Sequence, residues 1–255
     1  VRIKHPRKLH RARLRQLGIN ARMVLPQRAD TQHRHLHFLR HRARVAICPA
    51  PFKVNLEPKP PSRTLPRVNL TFLGPGAWGT ALAKIAHEGG HQVTVWGHPE
   101  RLAALAYEKE NKQYLPGIDL PESWTLEPEI SRAIDGAEGI FMAMPSRSFR
   151  EIAGHLAHVE TIIVSVTKGI EHETGLTMGG ILDELAPQSQ VAALSGPSLA
   201  PEVARGIPTA LVCASNDRAY AKHVQDWIHS PTLRIYTSED LLGVELGGAL
   251  KNVMA

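Results

Sequence analysis

One segment constrains the fold more than any other. Residues 68–73 form a short β-rich run, Gly74-Pro75-Gly76-Ala77-Trp78-Gly79 follows, and a helical stretch then runs to Gly89-Gly90. A second apolar run, residues 91–97, begins about twelve residues past the last of the three glycines, as a strand–turn–helix–strand unit requires. Each glycine has a physical task. Gly74 permits the tight turn, Gly76 lets a diphosphate approach the backbone, and Gly79 lets helix and strand pack closely. The helix start adds free N–H groups and the positive end of the helix dipole. A merely structural glycine turn does not call for three glycines at this spacing. The segment therefore predicts dinucleotide binding through Gly74, Gly76 and Gly79.

The rest of the chain from residue 68 repeats the alternation. Apolar runs at 139–145, 161–169 and 190–197 each end in Gly or Pro, with helix-like stretches between them. Runs 209–215 and 233–238 flank a helical 216–230. Alternating strands and helices with apolar strands predict an α/β fold of Rossmann type, a doubly wound parallel sheet covered on both faces. The expected organisation is a basic leader over 1–67, a dinucleotide-binding domain over 68–238, and the start of a helical domain over 239–255. Met142, Met144 and Pro145, ending one strand, are read as a wall beneath the nicotinamide side.

The end of the second strand faces the adenosine ribose in such folds. NAD-binding chains place Asp or Glu there. This chain has Trp96-Gly97-His98-Pro99-Glu100-Arg101. His98 and Arg101 suit a 2′-phosphate, so NAD and NADP are both expected cofactors. Glu100 is read as charge at a helix start.

Charge is divided unevenly. Residues 1–67 hold 17 Lys and Arg against 2 Asp and Glu, a balance of +15, while residues 68–255 balance to −9. The leader has no sustained period and too little apolar surface to offset ordering entropy, so it is expected to be unstructured. A nucleic-acid arm is one alternative. A transit peptide is another, opposed by Ser62 being the only serine among residues 1–67. We favour translated upstream sequence or an unstructured extension. His33, His35, His37 and His41 are assigned no metal site. Two cysteines, Cys48 and Cys213, are too few for a disulfide framework and suit the cytoplasm. No run of 18 apolar residues marks a membrane span.

Four further segments narrow the reading. They are residues 111–117 (NKQYLPG), 166–171 (VTKGIE), 194–200 (LSGPSLA) and 247–255 (GGALKNVMA). With the glycine turn, in this order and spacing, residues 68–255 resemble bacterial-type sn-glycerol-3-phosphate dehydrogenases. The resemblance implies an oxidoreductase of glycerophospholipid and carbohydrate metabolism. It would interconvert sn-glycerol 3-phosphate and dihydroxyacetone phosphate with NAD(P)H, feeding phospholipid synthesis. It implies that Ala77, Trp78, His98 and Ala200 contact cofactor, and that Lys168 touches cofactor and substrate. It places Gly196 and Ser198 at the substrate and makes Lys251 the catalytic lysine. It implies no metal, no membrane and no specific nucleic-acid partner, and leaves a homodimer open for the complete enzyme.

The chemistry agrees with a lysine at that place. Hydride transfer to a ketone builds charge on its oxygen, which a lysine can stabilise and protonate. The small-residue, mostly apolar stretch around Lys251 distinguishes it from a solvated surface lysine. Lys168 follows a strand end, where ligands bind in parallel sheets, although Lys-Gly is also ordinary turn chemistry. The family continues beyond Lys251 into a helical domain that completes the phosphate clamp. The 255-residue chain is therefore expected to bind cofactor but turn over poorly. Other Rossmann dehydrogenases, and a nucleotide-binding module without activity, are the competing readings. The 194–200 and 247–255 segments oppose the first, and a salt-dependent shift with random DNA would discriminate the second, whose basic arm would contact nucleic acid.

Overall fold

The computed structural model describes residues 66–254. The readings made on residues 1–65, including the histidine cluster and Cys48, lie outside the described residues, as does Ala255. In chain order the elements are β1 (Asn69–Leu73), α1 (Ala77–Glu88), β2 (Gln92–Trp96), α2 (Pro99–Glu108), β3 (Glu110–Asn111) and β4 (Leu115–Asp119). Then come β5 (Thr125–Glu127), α3 (Ile130–Ile134), β6 (Gly139–Met142), α4 (Ser146–Ala153), β7 (Ile162–Ser165) and α5 (Met178–Leu185). The last six are β8 (Gln190–Ser195), α6 (Ala200–Ala204), β9 (Thr209–Ser215), α7 (Arg218–Ile228), β10 (Leu233–Ser238) and α8 (Leu241–Met254).

Local chemistry sets several boundaries. Pro99 opens α2, where a missing N–H costs nothing. The Thr177 hydroxyl accepts from Gly180 N–H at the start of α5, and Asp217 accepts from Ala219 N–H at the start of α7. α1 stops where Gly90 takes φ +91°, a left-handed conformation that glycine adopts without steric cost.

Eight strands form one sheet in the order β10-β9-β8-β7-β6-β1-β2-β5. Pairings from β5 through β8 are parallel, as expected for a doubly wound fold. The expectation fails at one place: β9 pairs antiparallel to β8, with Leu194 opposite Cys213, and β10 follows β9. The cause lies in the β8–β9 connection. A parallel crossover needs a helix that returns along the sheet face. α6 has only five residues and instead packs against α1 and β4, with Ala204 clustered beside Ala81 and Leu115. The chain re-enters the sheet from the edge where it left.

Period-two alternation sorts the strands' side chains between two cores. Phe72, Phe141, Val164 and Leu194 face α1, α2 and α7. Leu73, Ile140, Met142 and Ile163 face α4 and α5. Phe72 and Phe141 stack with centroids 4.7 Å apart, and truncating either to Ala should cost about 3–5 kcal/mol. β1 sits mid-sheet, with its two neighbours reached by connections of opposite direction. The crevice at its C-terminal end, between β1 and β6, is where such sheets bind ligands.

Candidate dinucleotide and anion site

The glycine turn lies at this crevice, and its three glycines are constrained differently. Gly74 has φ +106°, and a Cβ there would sit 2.5 Å from the Ala143 carbonyl oxygen. Its N–H donates to Trp96 O at 3.0 Å, tying the turn to the end of β2. A Cβ on Gly79 would lie 2.2 Å from Gly74 O and 2.9 Å from Ala143 Cβ. Helix and strand therefore meet too closely for any side chain. Gly76 is the exception: a Cβ there meets nothing within 4 Å, and its φ of −75° is ordinary. It starts α1, which has no side-chain cap and no acid in its first turn. The turn thus presents open space in front of a bare helix N-terminus, which suits a diphosphate.

Trp78 and Ala200 pack on one small cluster with Ala81, Leu115 and Ala204, so α6 borders the turn. His98 lies past the end of β2, exposed, at the start of α2. Arg101, one helical turn on, places its guanidinium 4.4 Å from the Tyr114 ring centroid, a cation–π contact. A cavity of about 340 Å³ opens beside them, lined in part by His98, Arg101, Asn111, Lys112 and Gln113. Glu100 falls in the first turn of α2, where its charge suits the helix dipole.

The other predicted residues gather at the ends of β7 and β8. The Lys168 ammonium donates to Gly196 O at 3.3 Å. Burial holds its pKa below the usual lysine range, and the charge of Lys251 adds to that depression. The two lysines therefore share one region although they are far apart in sequence. Gly196 has φ +158°, and Ser198 N–H donates back to Gly196 O at 3.1 Å. α8 can come close because Gly248 has no side chain: a Cβ there would lie 2.6 Å from Ser195 Oγ and 3.7 Å from Lys168 Cγ.

One reading changes. Met142 is wholly buried in the α4–α5 core and cannot face a ligand. Ala143 and Met144 are the partly exposed residues after β6, with Pro145 beyond them exposed. Strand alternation, continued to Met142, turns it inward.

Two supports had no reading from sequence. Arg150 on α4 donates to both oxygens of Glu171 at 2.7 and 2.8 Å and to Glu184 on α5 at 3.1 Å. This clamps the segment that follows Lys168. Glu171 ends the 166–171 stretch, and Arg150 lies 21 residues upstream with no local signal to link them. Glu245 on α8 accepts from Gly179 N–H at 2.6 Å at the start of α5. Burial raises its pKa, against the Thr177 hydroxyl and Gly179 N–H that favour the carboxylate. A Cβ on Gly179 would lie 2.8 Å from that carboxylate, so helix and helix start are in direct contact.

The Glu171 clamp carries a pH signature. Hydrogen bonds from Arg150 and Thr174 hold its carboxyl at about 2, against an ordinary 4.5. A folded value below the unfolded one stabilises above about 4.5, and the contribution is lost as pH falls from there towards about 2. Melting temperatures of the wild type and Glu171→Gln should therefore differ near neutrality and converge on acidification. A gap that stays constant down to pH 3 would contradict the clamp.

Among the described residues no three His, Cys, Asp or Glu side chains gather as a metal site. No helix among them is long and apolar enough to cross a membrane.

Comparison with known proteins agrees with this geometry. Residues 69–221 match the family described as "NAD-dependent glycerol-3-phosphate dehydrogenase N-terminus". A glycerol-3-phosphate dehydrogenase [NAD(P)+] of Pseudomonas fluorescens is 44% identical over 191 residues, covering 73% of this chain and 53% of that protein. That of Hydrogenovibrio crunogenus is 40% identical over 196 residues, covering 74% and 57%. The crystal structure of the Coxiella burnetii glycerol-3-phosphate dehydrogenase superposes with a TM-score of 0.70 at 31% identity, covering 74% of this chain and 59% of that one. The chain thus spans little more than half the length of the curated relatives it matches. With a matching family segment that fills more than half of it, the chain belongs to the NAD-dependent glycerol-3-phosphate dehydrogenase family.

Proposed function

We propose that the chain binds NAD(P)H at the crevice between β1 and β6. We propose further that it forms the dinucleotide half of an enzyme interconverting sn-glycerol 3-phosphate and dihydroxyacetone phosphate. The observation that carries this is the open space at Gly76 in front of the uncapped start of α1, flanked by two glycines that no side chain could replace. The residues fit a diphosphate: backbone N–H groups of Gly76, Ala77 and Trp78 would hold it, and Gly74 and Gly79 keep the turn tight. His98 and Arg101 offer positive charge on the adenosine side, which favours accepting the 2′-phosphate of NADPH.

The bound nicotinamide supplies a hydride equivalent; the chain's own residues do the rest. Lys168 and Lys251 bring two cations to one place, which attracts a phosphate ester and any charge that develops on a ketone oxygen. Lys251 is assigned the proton that this oxygen exchanges, and Lys168 the contact with both cofactor and substrate. Gly196 and Ser198 line the substrate side, and Ala200, beside Trp78, lines the cofactor side. Glycerophospholipid synthesis in the cytoplasm is the proposed setting. It rests on the family to which the chain belongs.

The test has two arms. Titration of NADH and NADPH against this chain should give saturable binding. Joined to the remaining part of a relative, the chain should oxidise NADPH only when dihydroxyacetone phosphate is added. Binding without any turnover in that fusion would remove the substrate assignment and leave the cofactor site.

A further inference from the structure

Asn111 is 3% exposed and lies on β3, outside the eight-stranded sheet. Its amide bonds to the glycine turn, to the first turn of α1 and to its own hairpin. Nδ2 donates to Pro75 O at 3.0 Å and to Thr80 Oγ1 at 2.8 Å, and Oδ1 accepts from Tyr114 N–H at 3.3 Å. The orientation of the amide follows from its partners. A proline carbonyl can only accept and a backbone N–H can only donate, so the reverse placement would oppose like groups at both ends.

The Pro75–Gly76 peptide is trans, since the described residues contain no cis bond. In a trans peptide the N–H points opposite to the C=O. Asn111 draws Pro75 O towards the protein interior, so the Gly76 N–H is turned outward. Among the described residues no group accepts that N–H. It faces away from Asn111, on the turn whose Gly76 has no neighbour within 4 Å of a Cβ position. Proline has no N–H of its own, so this is the first donor the turn can offer after Gly74, whose N–H is already given to Trp96 O.

We propose that Asn111 is a positioning residue of the cofactor site, fixing the Pro75–Gly76 peptide so that the Gly76 N–H is aimed at the bound diphosphate. The proposal rests on the reading that the glycine turn binds NAD(P)H. Asn111 acts through the turn, because its amide is already committed to Pro75 O, Thr80 Oγ1 and Tyr114 N–H.

The experiment uses the 255-residue chain and three variants. Asn111→Asp keeps the shape but places an acceptor against Pro75 O, which should turn the peptide. Asn111→Ala removes the tether. Thr80→Val removes the other acceptor of Nδ2 and leaves the Pro75 bond intact, reporting loss of hairpin anchorage alone. For each, NADH affinity, competition by inorganic pyrophosphate and the melting temperature without ligand are measured. Asn111→Asp and Asn111→Ala should weaken NADH and pyrophosphate by at least about tenfold, the value of one hydrogen bond to a charged group. Thr80→Val should lower the melting temperature while changing NADH affinity less than about threefold, below the loss of such a bond. NADH affinity within threefold of wild type in both Asn111 variants overturns the proposal. So does a Thr80→Val loss as large as theirs, because affinity would then follow hairpin stability. Absence of NADH binding by the wild type is a separate result, and it overturns the cofactor reading itself.

Discussion

Gly76→Val is expected to abolish NADH and NADPH binding while leaving the fold intact. A Cβ at this position meets no protein atom within 4 Å, and φ −75° suits any L residue. The variant should therefore melt close to the wild type. The two γ-methyl groups would occupy the space in front of the α1 start. Displacing a diphosphate from two or more backbone N–H donors, each worth about 1.5–3 kcal/mol towards a charged group, predicts a loss of at least about a hundredfold. Gly79→Ala is the contrast. Its Cβ would lie 2.2 Å from Gly74 O, so it should destabilise the protein itself, by about 1–3 kcal/mol or more. Wild-type cofactor affinity in Gly76→Val would remove the turn from the site.

Lys251→Ala should act on turnover instead. In the chain joined to the remaining part of a relative, kcat should fall by at least about a hundredfold, the low end for a positioned acid–base group. NADH affinity should change little, because the glycine turn lies on a different part of the edge. The structural ground is the approach of α8: Gly248 packs on Ser195 and Lys168, and the charge of Lys251 is felt by Lys168. A variant with near-normal kcat would exclude Lys251 from the chemistry.

The glycine turn was legible in the sequence because its demands are local. Three residues, one strand and one helix explain Gly74, Gly76 and Gly79 without any distant partner. The reversal of β9 was not legible. Periodicity reports which face a residue occupies and says nothing of strand direction, and direction here depends on where α6 packs. The β3–β4 hairpin was hidden by its composition, since a stretch such as Asn111-Lys112-Gln113-Tyr114 is polar and Pro116 interrupts it. Strand β5 is three residues long, below the reach of any alternation. Asn111 and Glu171 stood in segments that carried the family resemblance, yet their partners Pro75 and Arg150 lie 36 and 21 residues away. The resemblance assigned Lys168 and Lys251 separate roles; their meeting in one region comes from the fold, which has a physical reason in the small residue at Gly248.

The most direct test of the account follows backbone amide signals by NMR during NADH titration of the isotope-labelled chain. Saturation is expected at one equivalent, with the largest shifts at Gly76, Ala77 and Trp78 and smaller ones near His98. Saturable binding that leaves these three amides unmoved would place the cofactor elsewhere and contradict the account.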